Sequence, residues 1–197
     1  SGSVNGLLAR VLAAGLSAVT GIVLARSLGA SDLGALGLAT TIGAIAVQVT
    51  DFGFTQSVVR FLVSERSGPS PELAACVALR LLSSLALQAV IVVAAVFGAF
   101  GSAGTTVAIV SVMIPAAAIG AWSAALQAHM QLNLLAVTTF VRTAVWCAIL
   151  IALASRSASL AAFAISFVVV EAAASLLIAI LAHRDEKLDL TRVRAGI

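Results

Sequence analysis

The sequence predicts an all-α membrane protein that crosses the bilayer six times, and three observations carry that expectation. Of its 197 residues 61% are hydrophobic and only 10% charged, with a mean hydropathy of +1.16. That leaves too little polar surface to cover a water-soluble globule. Its apolar runs are also long: a hydrocarbon core of about 30 Å needs about 20 helical residues, and six stretches meet or approach that length. Finally, several of the links between the runs are brief and rich in Ser and Gly, which makes consecutive helices antiparallel neighbours.

The predicted spans are Leu7 to Leu28, Leu33 to Val49, Leu73 to Phe100, Thr105 to Ala128, Leu134 to Ala154 and Leu160 to Ala182. The first continues for long enough to span, so no cleavable leader is needed. The second is the shortest and is expected to extend past Asp51. Beyond it, Val58, Val59, Phe61 and Leu62 alternate with Gln56, Arg60, Ser64 and Glu65 as one helix lying along an interface. Gly101-Ser102-Ala103-Gly104 turns the third run into the fourth, and Ser155 to Ser159 turns the fifth into the sixth. Pro115, midway along the fourth, lacks the N–H its turn needs and is expected to bend it, a candidate hinge. His183 to Ile197 forms the longest charged run and reads as a cytoplasmic linker after a six-helix lobe over residues 1–182. Starting at Ser1 and stopping just after this run is what a piece of a longer chain would show.

Charge sets the expected orientation. With the N-terminus cytoplasmic, nine of the eleven Lys and Arg residues fall inside and only Arg26 and Arg156 outside. Both termini are therefore expected in the cytoplasm. The net charge of +3 comes from bases scattered between apolar runs, without the continuous stripe that nucleic-acid binding demands. Cys76 and Cys147 lie in apolar runs without metal-ligand spacing and read as small core residues; no metal or other cofactor is expected.

Residues 21–66 carry a more specific signal. Leu24-Ala25-Arg26, then Leu28-Gly29, Asp32 and Gly34, is followed after the second run by Asp51, Gly53 and Val59-Arg60-Phe61. In order and spacing this resembles the opening of bacterial polysaccharide flippases, members of the multidrug/oligosaccharidyl-lipid/polysaccharide exporter superfamily. The resemblance implies the N-terminal lobe of a two-lobe transporter in the bacterial cytoplasmic membrane. A second lobe, covalent or supplied by a dimer, would complete it. Its substrate would be a polyprenyl-diphosphate-linked oligosaccharide, flipped by alternating access for surface polysaccharide synthesis such as that of lipopolysaccharide. Lipid II flippases carry a denser arginine set in their first two spans; here only Arg26 falls in the membrane part of residues 17–49, which favours the polysaccharide branch. A cation-coupled drug exporter of the same superfamily and a non-transporting scaffold of envelope polymer synthesis are the alternatives.

No catalytic constellation accompanies these features, and an enzyme is not expected. Asp51-Phe52-Gly53 matches the kinase magnesium motif by letters alone, because no Gly-rich loop or HRD segment goes with it. Ionisable groups at membrane depth are the candidate functional positions, being costly there. Glu171 lies near the middle of the sixth run and shares a face with Phe167 and Ser175. It reads as a coupling carboxylate, as the partner of a cavity arginine, or as an interhelical hydrogen-bonding group. Arg142, with Thr138 and Trp146 on its stripe, offers the permanent charge and several donors that a diphosphate requires, and also the reach to snorkel. Arg10, within the first turn of its run, is the weaker cavity candidate.

Asp51 and Arg60 meet at the inner end of the second run, where the resemblance places the entrance between lobes. Residue by residue, Asp51 also fits a cap for the following helix and Arg60 a contact for lipid phosphate. Gly37, Thr41 and Gln48 form a small and polar stripe on the second run, as Ser17 and Gly21 do on the first. Such stripes are expected to let helices pack closely, and would equally line a polar cavity. His129 falls in an inner loop beside Gln127, Gln131 and Asn133 and reads as solvated.

Overall fold

A computed structural model describes residues 2–57, 60, 71–120 and 132–194, with the side chains of residues 2–10, 13, 71–74, 76, 132–133 and 182–194 outside the description. Seven long or medium α-helices stand out among the described residues, beside a 3-10 turn at Gly101–Ala103 and a helical segment at 54–57. The seven are α1 (Gly2–Ser27), α2 (Ala30–Asp51), α3 (Pro71–Val96), α4 (Gly104–Ser111), α5 (Met113–Ile119), α6 (Leu132–Ala154) and α7 (Leu160–Arg194). No strand occurs among those residues. Five helical stretches are long and apolar enough to cross a membrane, and a shorter apolar helix, Ala14–Ser27, precedes them. Three expectations drawn from the sequence lie outside the described residues or side chains: the interfacial helix beyond Ser57, the loop with His129, and the surroundings of Arg10 and Cys76.

The boundaries follow from local chemistry. Only Leu28 and Gly29 separate α1 from α2. Helix α2 stops at Phe52, which takes a left-handed conformation (φ 38°) with its N–H donating to the Gln48 carbonyl, and Gly53 follows at φ 80°. A glycine tolerates such an angle without strain; Phe52, 88% exposed, does not. Helical geometry then resumes over 54–57, so the second span does extend past Asp51. The fourth span is interrupted as Pro115 predicts. Its ring nitrogen cannot donate to the Ser111 carbonyl, the preceding turn tightens so that Val112 N–H bonds Ile109 O at 3.3 Å, and α4 gives way to α5. Helix α7 runs on through the charged segment to Arg194 because nothing between Leu160 and Arg194 is Gly or Pro.

The helices pack in a chain of neighbours. Helix α1 lies along α6, α6 along α7, and α7 against the broken α4/α5 pair, which in turn packs on α2 and α3. Despite their two-residue link, α1 and α2 scarcely touch. The dry core sits between α2, α4, α5 and α7, where Leu36, Ala39, Val107, Val110, Ile114, Phe163 and Ala164 are buried. Hydroxyls inside the bundle are satisfied by their own helices: Thr20 donates to Leu16 O (2.8 Å), Ser84 to Leu81 O (2.7 Å), Ser111 to Ala108 O (2.7 Å) and Thr138 to Leu134 O (2.6 Å). Outside the core, Val11, Ile22, Ile45, Val90, Val169 and Ile180 stay exposed, as side chains facing lipid do.

The small-residue stripes correct an expectation. A Cβ built on Gly21 or Gly37 would meet nothing within 4 Å, and Ser17, Thr41 and Gln48 are exposed. These faces are open, and the close approach occurs on the other side of α2, at Gly43. A Cβ there would lie 2.8 Å from Met113 Sδ and 3.6 Å from Val110 Cγ1. Gly43→Val should therefore destabilise the bundle by about 1–3 kcal/mol through overpacking. Met113→Ala in the same chain should recover much of that loss, read as the midpoint of thermal unfolding in detergent.

Candidate functional site

Among the described residues two ion pairs join the apolar spanning stretches. The first ties the end of α2 to α3. Arg80 Nη1 lies 2.9 Å from Asp51 Oδ1 and donates to Thr55 Oγ1 at 3.1 Å, while the Thr55 hydroxyl donates to Asp51 Oδ1 at 2.6 Å. The three groups close a ring. Only 8% of the Arg80 side chain and 21% of the Asp51 side chain remain exposed. An aspartate at a helix C-terminus faces the negative end of the macrodipole, and Arg80 offsets that repulsion.

The sequence marks Asp51 as an entrance position or a helix cap, and neither expectation includes this pairing. Arg80 counts there among the inner-side bases that set topology, although it is a guanidinium inside an apolar helix by the same criterion that marks Arg142. Arg60 is exposed. Gln48 is also exposed and, with Ala44, Ile45, Val49 and Phe52, lines a shallow groove on the outer face of α2.

The second pair brings together two residues that the sequence singled out separately. Arg142 Nη1 donates to Glu171 Oε2 at 2.8 Å, joining α6 to α7 near the middle of both spans. Its side chains are more open, 38% and 22% exposed. The bond gives Glu171 an arginine partner and is at the same time an interhelical hydrogen bond, so it fits both of those readings. One bond leaves most of the five guanidinium donors of Arg142 available.

One space borders this pair and another lies about one helical turn from it. On one side, Arg142 and Thr138 are the polar members of a groove of about 300 Å³ between α6 and α7, lined otherwise by side chains such as Val141, Val145, Ile149, Val169 and Leu177. On the other, Trp146 and Phe167 meet edge to face, their ring centroids 5.3 Å apart and their planes at 64°. With Leu24, Leu33, Leu36, Gly37 and Thr40 they bound a pocket of about 140 Å³ where α1 and α2 diverge. Trp146 stands one helical turn from Arg142, and Phe167 one turn from Glu171.

Among the described residues no group of His, Cys, Asp or Glu is arranged to hold a metal ion. Apolar spans, satisfied hydroxyls and charges paired across helices define an all-α polytopic membrane protein. More particularly, the family model described as polysaccharide biosynthesis protein matches residues 3–194, and the chain belongs to that family. This bears out the likeness to polysaccharide flippases carried by residues 21–66. No curated protein and no solved structure matches the chain.

Proposed function

We propose that this chain forms one lobe of a flippase that moves a lipid-linked oligosaccharide across the bacterial cytoplasmic membrane, both its ends facing the cytoplasm. The observation that carries the reading is Arg142. It is a partly exposed guanidinium near the middle of its span, held by a single bond to Glu171 and bordering the groove between α6 and α7 rather than the core. Without a ligand, such a charge costs several kcal/mol at that depth unless it is paired. Glu171 keeps it neutral at rest, and the remaining donors accept an anion. A diphosphate is the anion that best uses a fixed, planar fork of N–H groups.

Membership in a polysaccharide biosynthesis family supports a polyprenyl-diphosphate glycan as the source of that anion. The α2 face bearing Gly37 and Thr41 lines the path, since a Cβ on Gly37 would meet nothing within 4 Å and Thr41 is exposed among the described residues. A second lobe, on the same chain or on another copy, closes the cavity and rocks against this one, and the break at Val112 gives the motion a place to bend. The role is transport, and no covalent step is assigned to any residue.

The test uses the protein as its cell makes it, reconstituted into vesicles with a fluorescent lipid-linked oligosaccharide in the outer leaflet. Quencher-protected signal should accumulate with the protein and not with empty vesicles. Equal rates in both would overturn the reading.

A further inference from the structure

We infer that the pocket between Trp146, Phe167 and the open face of α2 is a subsite for the first sugar ring of the transported lipid. The inference rests on the flippase reading above and deepens it. Its size is about 140 Å³, and cavities of about 150 Å³ hold one six-membered ring. Its chemistry suits a pyranose. The indole of Trp146 is fixed by its edge-to-face contact with Phe167, which presents a flat apolar surface to the C–H face of a sugar. Two polar functions sit among the leucines. The Thr40 hydroxyl donates to Leu36 O (2.9 Å) and Gly37 O (3.0 Å) and so keeps lone pairs to accept a sugar O–H. Among the described residues no hydrogen bond engages the indole N–H of Trp146, which remains a donor. Gly37, without a side chain and with nothing within 4 Å of its would-be Cβ, leaves the opposite wall open.

Position completes the argument. Trp146 follows Arg142 by one turn on α6 and Phe167 precedes Glu171 by one turn on α7, a rise of about 5 Å. A diphosphate seated on Arg142 would carry its first sugar about that distance away. Specificity then arises in two steps: the guanidinium selects the diphosphate, and the aromatic pair selects lipids that already bear a sugar.

The test uses the whole protein in detergent with two probes, farnesyl diphosphate and the same lipid carrying one hexose on its diphosphate. Trp122→Phe leaves Trp146 as the single tryptophan, whose emission reports on the pocket directly. The glycosylated probe should shift that emission and the bare one should not. Trp146→Ala should weaken binding of the glycosylated probe roughly fivefold to tenfold while leaving the bare probe unchanged, and Trp146→Phe should restore part of the loss. Gly37→Leu, which fills the pocket from a helix position with free space, should have the same selective effect and guards against misfolding of the Trp146 variant.

If both probes shift the emission and both lose affinity on Trp146→Ala, the pocket holds hydrocarbon and the sugar subsite is wrong. If both bind equally well and neither variant matters, the subsite is wrong and the flippase reading stands. Binding of neither probe would overturn both.

Discussion

Replacing Asp51 with alanine should cost the lobe about 3–5 kcal/mol, because it strands Arg80 as an unpaired cation in a nearly closed site. The Arg80 guanidinium would keep Thr55 as a partner while losing the charge that compensates its desolvation. Thermal unfolding in detergent should show a fall of many degrees, with Arg80→Ala giving a smaller loss, since Asp51 is the more exposed partner and can be reached by water. The double variant Asp51→Leu with Arg80→Met should recover much of the stability, as apolar replacements of buried pairs often do. A single Asp51→Ala variant as stable as the parent would show that the ring formed by Arg80, Asp51 and Thr55 does not hold α2 to α3.

The largest expected effect on activity is at Arg142. Charge-assisted hydrogen bonds contribute about 1.5–3 kcal/mol, which corresponds to a rate or affinity change of roughly tenfold to a hundredfold. Arg142→Ala should lower flipping by that factor. Arg142→Lys should fall between, keeping the charge and losing the planar fork. Glu171→Gln separates the two partners' roles. It frees Arg142 from an opposing charge and should tighten binding of the bare lipid diphosphate, whereas a purely structural pair would lose stability without any gain in affinity. Binding of farnesyl diphosphate by calorimetry, beside thermal unfolding of each variant, reads both quantities. Unchanged transport in Arg142→Ala would remove the guanidinium from the mechanism.

Spans and site were not equally legible in the sequence. Helix type follows from apolar length, a one-dimensional property, so the sixth run starts at Leu160 and the fifth ends at Ala154 in both readings, while of the six expected spans five are long and apolar enough among the described residues and the first is a shorter apolar helix. Pro115 was legible because a missing N–H acts within its own helix. The partners of charges were not, since ion pairs join helices far apart in sequence. Glu171 and Arg142 were each conspicuous as charges at membrane depth, yet only the packing of α6 on α7 brings them within 2.8 Å. Arg80 escaped notice for the opposite reason: near the end of a run, an arginine looks like a topology marker until its burial is known. The glycines failed similarly. Gly37 and Gly43 are indistinguishable by composition and spacing, and only the position of Met113 tells which one is pressed.

Helix α7 has a mechanical consequence. As one uninterrupted helix from Leu160 to Arg194 it is about 50 Å long at 1.5 Å per residue, with roughly 18 Å of that beyond Ala182. A tilt of about 10° around its Leu160 end would sweep the Arg194 end through about 9 Å, while Glu171, near the pivot, would move about 3 Å. The helix is thus a lever pivoting at Leu160, with about its last 18 Å beyond Ala182. A shift at the Arg142–Glu171 pair too small to separate the two helices would emerge at the far tip amplified about threefold, large enough to be read by whatever that tip touches.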